Sequence, residues 1–552
     1  MPWSLMFIAL LACLWLASIV SQLSALRWPR QRFRVATAQQ ASPAHADLFE
    51  RDERELARLG FEPLGWAGMD EPGGARPPVV ARVLAHPASA TVALLSPGML
   101  LQRPNELAAV FVNRFADGRR LTSVRNLPLQ ECFSSPADIH RSHEVGSLEM
   151  LFVAHREACV ALGTQAVLDA SSLPAWVARL DADWGRFLDG LVRRGWMHRD
   201  ADASLRLRLA KYPAFFHALA RTPKAPLPAE VPMARQLALL AEHERVREQV
   251  PRPGLQWGLM LVVTAVFAVL LSLIVGDGAS ARFHRWLAFW IALTFVLHEA
   301  GRYLAMRAMG WRGTALPALA LLGKRSPAVD PAPSGARRAL VGLAATVPGV
   351  LLGWAWLAFW FGAPDFAGVV GNMVALTETQ PWLLPGALVP LLINYAVLLP
   401  LPSFEGGRIV QALPPRRWQW LAFAFAGVAL AGLLVFAWRV GFWLFVLTAL
   451  WQAWAWRGAL REARLLRQGA KIEPGPERDA HLLALCARAK PGAGLAQRFD
   501  RMLALRARLD EAPPAPGIGI ALLLLYLAPF ALALLHPVGQ GVVWLLRVWG
   551  TA

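Results

Sequence analysis

His298, Glu299 and Arg302 stand in the run FVLHEAGRYLAMR, and Glu405, Gly406 and Gly407 in INYAVLLPLPSFEGGRIV, both within long apolar stretches. An imidazole followed by a carboxylate is a pairing that can bind a divalent metal and move a proton. On a helix, His at i and i+4 share one face and hold the ion, while Glu at i+1 takes a proton from metal-bound water. Here i is His298, i+1 is Glu299 and i+4 is Arg302, so the second imidazole is missing. A guanidinium stays protonated and has no lone pair to give. At about 5 Å and an effective dielectric of about 20, it repels a dication by on the order of 6 to 7 kcal/mol, against roughly 10 to 16 kcal/mol gained by a structural zinc site. Glu405 is an oxygen donor, and Gly406 and Gly407 beside it let the backbone bend and a neighbour come close.

The elements that must position these residues are apolar. The chain has 552 residues, of which 56% are hydrophobic and 17% charged, with 24 Trp. That composition is too apolar for an ordinary soluble multidomain protein and predicts a polytopic α-helical membrane protein. Runs long enough to cross a ~30 Å hydrocarbon core at ~1.5 Å per residue lie at 3–26, 254–275, 286–309, 339–361, 381–402, 418–438, 440–456 and 517–535, or about eight transmembrane helices. Residues 542–549 are too short to span and are expected at the interface. The net charge of +18 sits in Arg clusters beside apolar runs. That placement suits membrane flanks, with lipid as a partner, and argues against nucleic acid.

The basic residues also predict orientation. Arg27, Arg30, Arg32 and Arg34 follow the first run and place the next segment in the cytoplasm. Arg307, Arg312, Lys324, Arg325 and Arg337 outweigh Asp330 and place the stretch 302–338 on the same side. Residues 363–380, with Asp365 and Glu378 and no base, are expected outside, while Arg282 and Arg285 run against the pattern. The first run lacks the basic flank of a cleaved signal and is read as a retained anchor, and a bacterial inner (plasma) membrane is the expected location. Four Cys, at 13, 132, 159 and 486, suggest neither a disulfide framework nor a CxxC metal site.

Five regions are expected: an N-terminal transmembrane helix at 1–26, a cytoplasmic α+β domain at 27–253, a membrane core at 254–456, a cytoplasmic helical segment at 457–515, and a last transmembrane helix with its tail at 516–552. In the α+β domain, Asp117 and Gly118 signal a hairpin turn between two strand-like arms. Its second half, from about 142 to 248, has helical spacing. His140, His143 and His155 lie in this domain at no metal-ligand spacing and are expected on the surface or on a helix face.

The order and spacing of the two motifs resemble the site-2 protease family of intramembrane zinc metalloproteases. In that family a HExxH helix supplies two His ligands and the catalytic Glu, and a later LDG motif supplies an Asp ligand. The resemblance covers about 255–415 and implies His298 as a metal ligand, Glu299 as general base and Glu405 as the third ligand, with Gly406, Gly407 and Asn394 in support. ALVGLAATVPGVLLG at 339–353 is similar to the small-residue helix between the two motifs, with Leu343 where a Pro is common. The pattern is degenerate: HEAGR replaces HExxH and FEGG replaces LDG.

Ionisable groups at membrane depth are costly unless paired. Arg302 is therefore expected to stand in the metal's place as an ionic clasp, with Glu299 three residues away and Glu405 on the later element, and a protonated His298 cancelling the residual negative charge. A simpler alternative has Arg302 reaching the cytoplasmic interface along its own stem. Three functions stay open. The first is a catalytically impaired or inactive site-2-protease-like protein that binds a transmembrane segment or partner protein as an adaptor. The second is an active zinc metalloprotease with an altered metal site, and the third a transporter or channel.

Overall fold

Every second residue of Ala108–Phe115 is buried, and this period of two makes the segment a strand with one face on a core. It belongs to a computed structural model that describes residues 31–70, 79–97, 105–163, 165–167, 172–200, 204–221, 231–247, 253–275, 281–311, 334–362, 365–380, 382–414, 419–440 and 443–536, with residue 540 and scattered positions before 31. Contacts divide the chain into a sheet unit, 22–249 with 483–501, and a helical unit, 1–21, 250–482 and 502–552.

In the sheet unit β1 is Arg27–Trp28, β2 Arg32–Ala36, β3 Glu62–Asp70, β4 Val79–His86, β5 Thr91–Ser96, β6 Ala108–Phe115, β7 Arg120–Arg125, β8 Asp138–His143, β9 Ala166–Val167, β10 Met197–Arg199 and β11 Leu205–Leu207. Strands β2 to β8 pair in chain order, β9 adds to β6, and β1, β11 and β10 form a second, small sheet. Neighbours are antiparallel except β7 and β8. The hairpin at Asp117 closes through Gly118, whose φ of +84° only glycine adopts without strain. Helices α1 (Ala46–Arg58), α2 (Leu148–Ala161), α3 (Leu173–Arg193), α4 (Tyr212–Ala220) and α5 (Met233–Arg247) complete the unit. Trp176 and Val177 of α3 bury against Ala67, Val83 and Val92 of the sheet. Phe152 of α2 meets Phe61 and Phe111 edge-on, with ring centroids 4.9 and 5.6 Å apart. Strands β10 and β11 interrupt the second half, where helical spacing alone was expected.

The helical unit contains α6 (Pro253–Val275), α7 (Ala281–Ala308), α8 (Gly335–Phe361), α9 (Phe366–Thr379), α10 (Leu383–Leu398), α11 (Glu405–Ala412), α12 (Gln419–Val440), α13 (Trp443–Gly469) and α16 (Pro516–Leu535). Between the last two, α14 (Pro476–Ala489) and α15 (Leu495–Leu509) each begin in one unit and end in the other. The expected 457–515 segment is divided in the same way.

The expectation of a polytopic fold with about eight membrane crossings is corrected here. Among the described residues two helices, Gly335–Phe361 and Pro516–Leu535, are long and apolar enough to cross a membrane, and the N-terminal part carries a large eight-stranded sheet. Apolar content misleads for identifiable reasons. Pro400 and Pro402 end the run 381–402 early, leaving α10 with 16 residues, or about 24 Å, short of a ~30 Å core. α7 carries Arg282, Arg285, Glu299, Arg302 and Arg307, and α13 runs on into Arg457, Arg461, Glu462, Arg464 and Arg467. Within the stretch 363–380, Phe366–Thr379 forms helix α9, which its loop-like charge pattern did not suggest. Most of 3–26, the basic stretch 312–333 with Arg312, Lys324, Arg325 and Asp330, and 542–549 lie outside the described residues.

Candidate functional site

α8 is the centre around which the predicted residues gather. Gly342, Ala345, Gly349 and Gly353 recur at three and four residues and so share one face. A Cβ at Gly349 would lie 2.1 Å from Asn394 Nδ2, and one at Gly353 2.6 Å from Leu391 Cγ, so α10 reaches α8 only because side chains are missing there. At Gly342 the intruders would be Ile409, at 2.8 Å, and Glu405 Oε2, at 3.5 Å. On another face α7 touches backbone to backbone, a Cβ at Gly301 falling 2.0 Å from the Ala344 carbonyl oxygen. That carbonyl has lost its helical donor, since residue 348 is a proline inside α8.

Gly406 and Gly407 have the same steric role at the turn between α10 and α11. A Cβ on them would lie 1.9 Å from the Leu398 carbonyl oxygen and 2.0 Å from that of Leu401. Their absence of side chains lets α11 fold back on the end of α10 and sets Glu405 at the first position of α11, where a carboxylate suits the helix dipole. Tyr526 of α16 caps the same end, its hydroxyl donating to the Leu398 carbonyl at 2.7 Å.

These constraints bring Arg302 to Glu405 across 103 positions of sequence, Nη1 donating to Oε1 at 2.9 Å. Arg408, one turn along α11, donates to the same oxygen at 2.7 Å. Both Glu299 and Glu405 are 7% exposed, and Asn394 is fully buried with its Nδ2 donating to the Pro390 carbonyl at 2.8 Å. His298 lies beside Asn394 and within the field of Glu405, Arg302 and Arg408. Its Nδ1 and the Asn394 Oδ1 are shielded from solvent and make no hydrogen bond among the described residues.

Arg408 is the residue that sequence reasoning passed over, although its place three after Glu405 in FEGGR is visible. Its charge changes the balance. With the buried Glu299 counted beside Glu405, two guanidiniums and two carboxylates sum to zero with a neutral His298, and the proton that the expected balance put on that imidazole is not required.

The donor chemistry of this cluster departs from that of a His-rich zinc site. His298, Glu299 and Glu405 are the donor side chains at hand, and Oε1 of Glu405 is engaged by two permanent cations that would repel a dication. Among the described residues no group of three His, Cys, Asp or Glu converges as a metal-holding set.

One His of the sheet unit departs from the expected surface or helix-face placement: His140 is buried on β8, at 7% exposure, whereas His155 lies on helix α2, at 0% exposure. Asn113 Nδ2 donates to the carbonyls of Ser89 and Ala90, so its Oδ1 is the atom that meets His155 Nε2 at 2.7 Å and accepts its proton. His155 Nδ1 must then accept from the Ser123 hydroxyl, 2.8 Å away. Serine, histidine and amide in a row look catalytic, yet Ser123 is 0% and Asn113 1% exposed, so no substrate reaches them. Burial presses the pKa of His155 down to about 3 and that of His140 down to about 4. Cys132, Cys159 and Cys486 are free thiols, and Cys13 lies outside the described residues.

Comparison of the chain with known protein families, with characterised proteins and with solved structures returns no match.

Proposed function

We propose that this chain is a membrane-embedded, site-2-protease-like protein in which an ionic clasp has replaced the metal, and that it holds a transmembrane segment of a partner without cleaving it. The observation that carries this reading is the Arg302 guanidinium at 2.9 Å from Glu405, at the position where the motif calls for the second imidazole. A hydrogen-bonded ion pair of this kind ties α7 to α11 and puts a permanent cation on the carboxylate that a catalytic ion would use.

Two further observations favour the membrane. The helical unit presents large apolar side chains outward, among them Leu351 (63% exposed), Phe359 (78%), Val428 (70%) and Leu534 (66%), a surface that lipid accepts and water does not. Trp286, Trp290, Trp356 and Trp382 gather where α7 and α10 begin and α8 ends, with Trp290 and Trp356 centroids 4.7 Å apart and Trp286 and Trp382 5.2 Å apart. Such a belt suits one membrane interface.

The test is elemental analysis of protein purified without added metal, together with cleavage of a co-expressed membrane-anchored reporter by wild type and by Glu299→Gln. The expected result is substoichiometric zinc and equal reporter processing in both. One equivalent of zinc, or cleavage lost in Glu299→Gln, overturns the proposal.

A further inference from the structure

In the sheet unit the register sets Arg114 of β6 directly opposite Arg120 of β7, and Arg120 beside Asp138 of β8. Like charges facing each other across a ladder destabilise it, so this pair needs an explanation. Asp183, from α3, supplies part of one: it contacts Arg114 and Arg186 and lies 3.7 Å from Arg120. Asp138 pairs with Arg120 at 2.8 Å. The compensation is incomplete. These groups line a cavity of about 310 Å³ together with Arg193 and Arg194, five arginines against two aspartates, three positive charges in excess.

The cavity is built and held. Arg194 is fixed by donating to the carbonyls of Ser134 at 2.6 Å and Phe133 at 3.0 Å, while Gly118 and Gly190 keep part of the lining free of side chains. Burial and the neighbouring guanidiniums Arg120, Arg179 and Arg186 depress the pKa of Arg114 below its usual range, as expected where positive charge is crowded. Arg186, with a side chain 68% exposed, and the exposed Arg193 stand at the rim as accessible donors.

We infer that this cavity is a binding site for a small phosphate-bearing molecule. Guanidiniums are planar forks suited to phosphate oxygens, and an anion there neutralises a charge excess that the fold otherwise carries uncompensated. The volume is at the low end of small-molecule sites, enough for a phosphate and a compact organic group.

The experiment is isothermal titration of the full-length chain in neutral detergent with inorganic phosphate, pyrophosphate and adenosine monophosphate, and, separately, sedimentation with phosphatidylglycerol vesicles. The expected result is saturable binding of at least one of the three soluble probes, weakening with added salt and weakened about tenfold or more in Arg186→Gln/Arg193→Gln. Both substitutions are at the accessible rim, and circular dichroism verifies that the variant is folded. No saturable binding of any soluble probe, unchanged affinity in the folded double variant, or association with vesicles alone would each overturn the inference.

Discussion

The helical unit and the sheet unit both place arginines in partly buried clusters, but with opposite balances. Around Glu405, Arg302 and Arg408 share one carboxylate oxygen, and Glu299, buried three residues before Arg302 on the same helix, brings the formal charge of the four residues to zero. Around Asp183, five guanidiniums meet two carboxylates and the sum does not reach zero. A balanced cluster built on buried carboxylates has its role in holding elements together, because removing Glu405 strands the guanidiniums that share it. An unbalanced one at a concave surface is open to an outside anion. The same residue type therefore serves cohesion in one unit and recognition in the other, and the count of opposing charges separates the two.

The largest expected effect breaks the balanced side. Glu405→Gln leaves Arg302 and Arg408 without their common acceptor charge and should destabilise the helical unit by about 3 to 5 kcal/mol. Hydrogen exchange of the α7 and α11 amides in detergent reads this locally, and a loss below about 1 kcal/mol would mean the clasp is no more than a surface pair.

A smaller effect is expected where the sheet unit buries polar groups without charge. His155→Ala takes from Asn113 Oδ1 its partner and leaves the Ser123 hydroxyl with His143 alone, at about 1 to 3 kcal/mol. The same site sets a pH dependence. Unfolded, His155 takes a proton near 6.5, whereas folded it does so only near 3, so the unfolded chain holds more protons between those values. Stability of β6 and β7 should thus be full above about pH 6.5 and decline as the pH falls towards about 3. Exchange rates of those strands against pH, flatter in His155→Gln than in wild type, check the assignment; equal slopes would remove His155 as the cause.

The smallest effect sharpens the contrast. Arg186→Gln removes one charge from the side in excess, and its stability should stay within about 0.5 kcal/mol of wild type. A loss comparable to that of Glu405→Gln would show that the two clusters are alike after all.

Local pattern made several of these features legible. The hairpin at Asp117 and Gly118 follows from alternation and one turn dipeptide, and His298 and Arg302 share a helix face because four residues make about one turn. The motif pair also pointed to Glu405 as a partner of Arg302, and the small residues 339–353 to a helix between the two motifs. Other features were hidden for physical reasons. Hydropathy sums over a window and cannot see that Pro400 and Pro402 stop a helix at Leu398. Nor can it tell an outward-facing leucine from one buried among neighbouring helices. The burial of His155 follows from the partners Asn113 and Ser123, 42 and 32 residues away, which no spacing rule connects.

By itself the sequence determined which side chains sit on which helix turn or strand face, since backbone geometry sets those periods within a few residues. Tertiary structure alone decided that Arg408 shares one oxygen with Arg302, and that Arg114 stands opposite Arg120. Those meetings depend on strand register and on where glycines let backbones touch, and both are settled by the packing of distant segments.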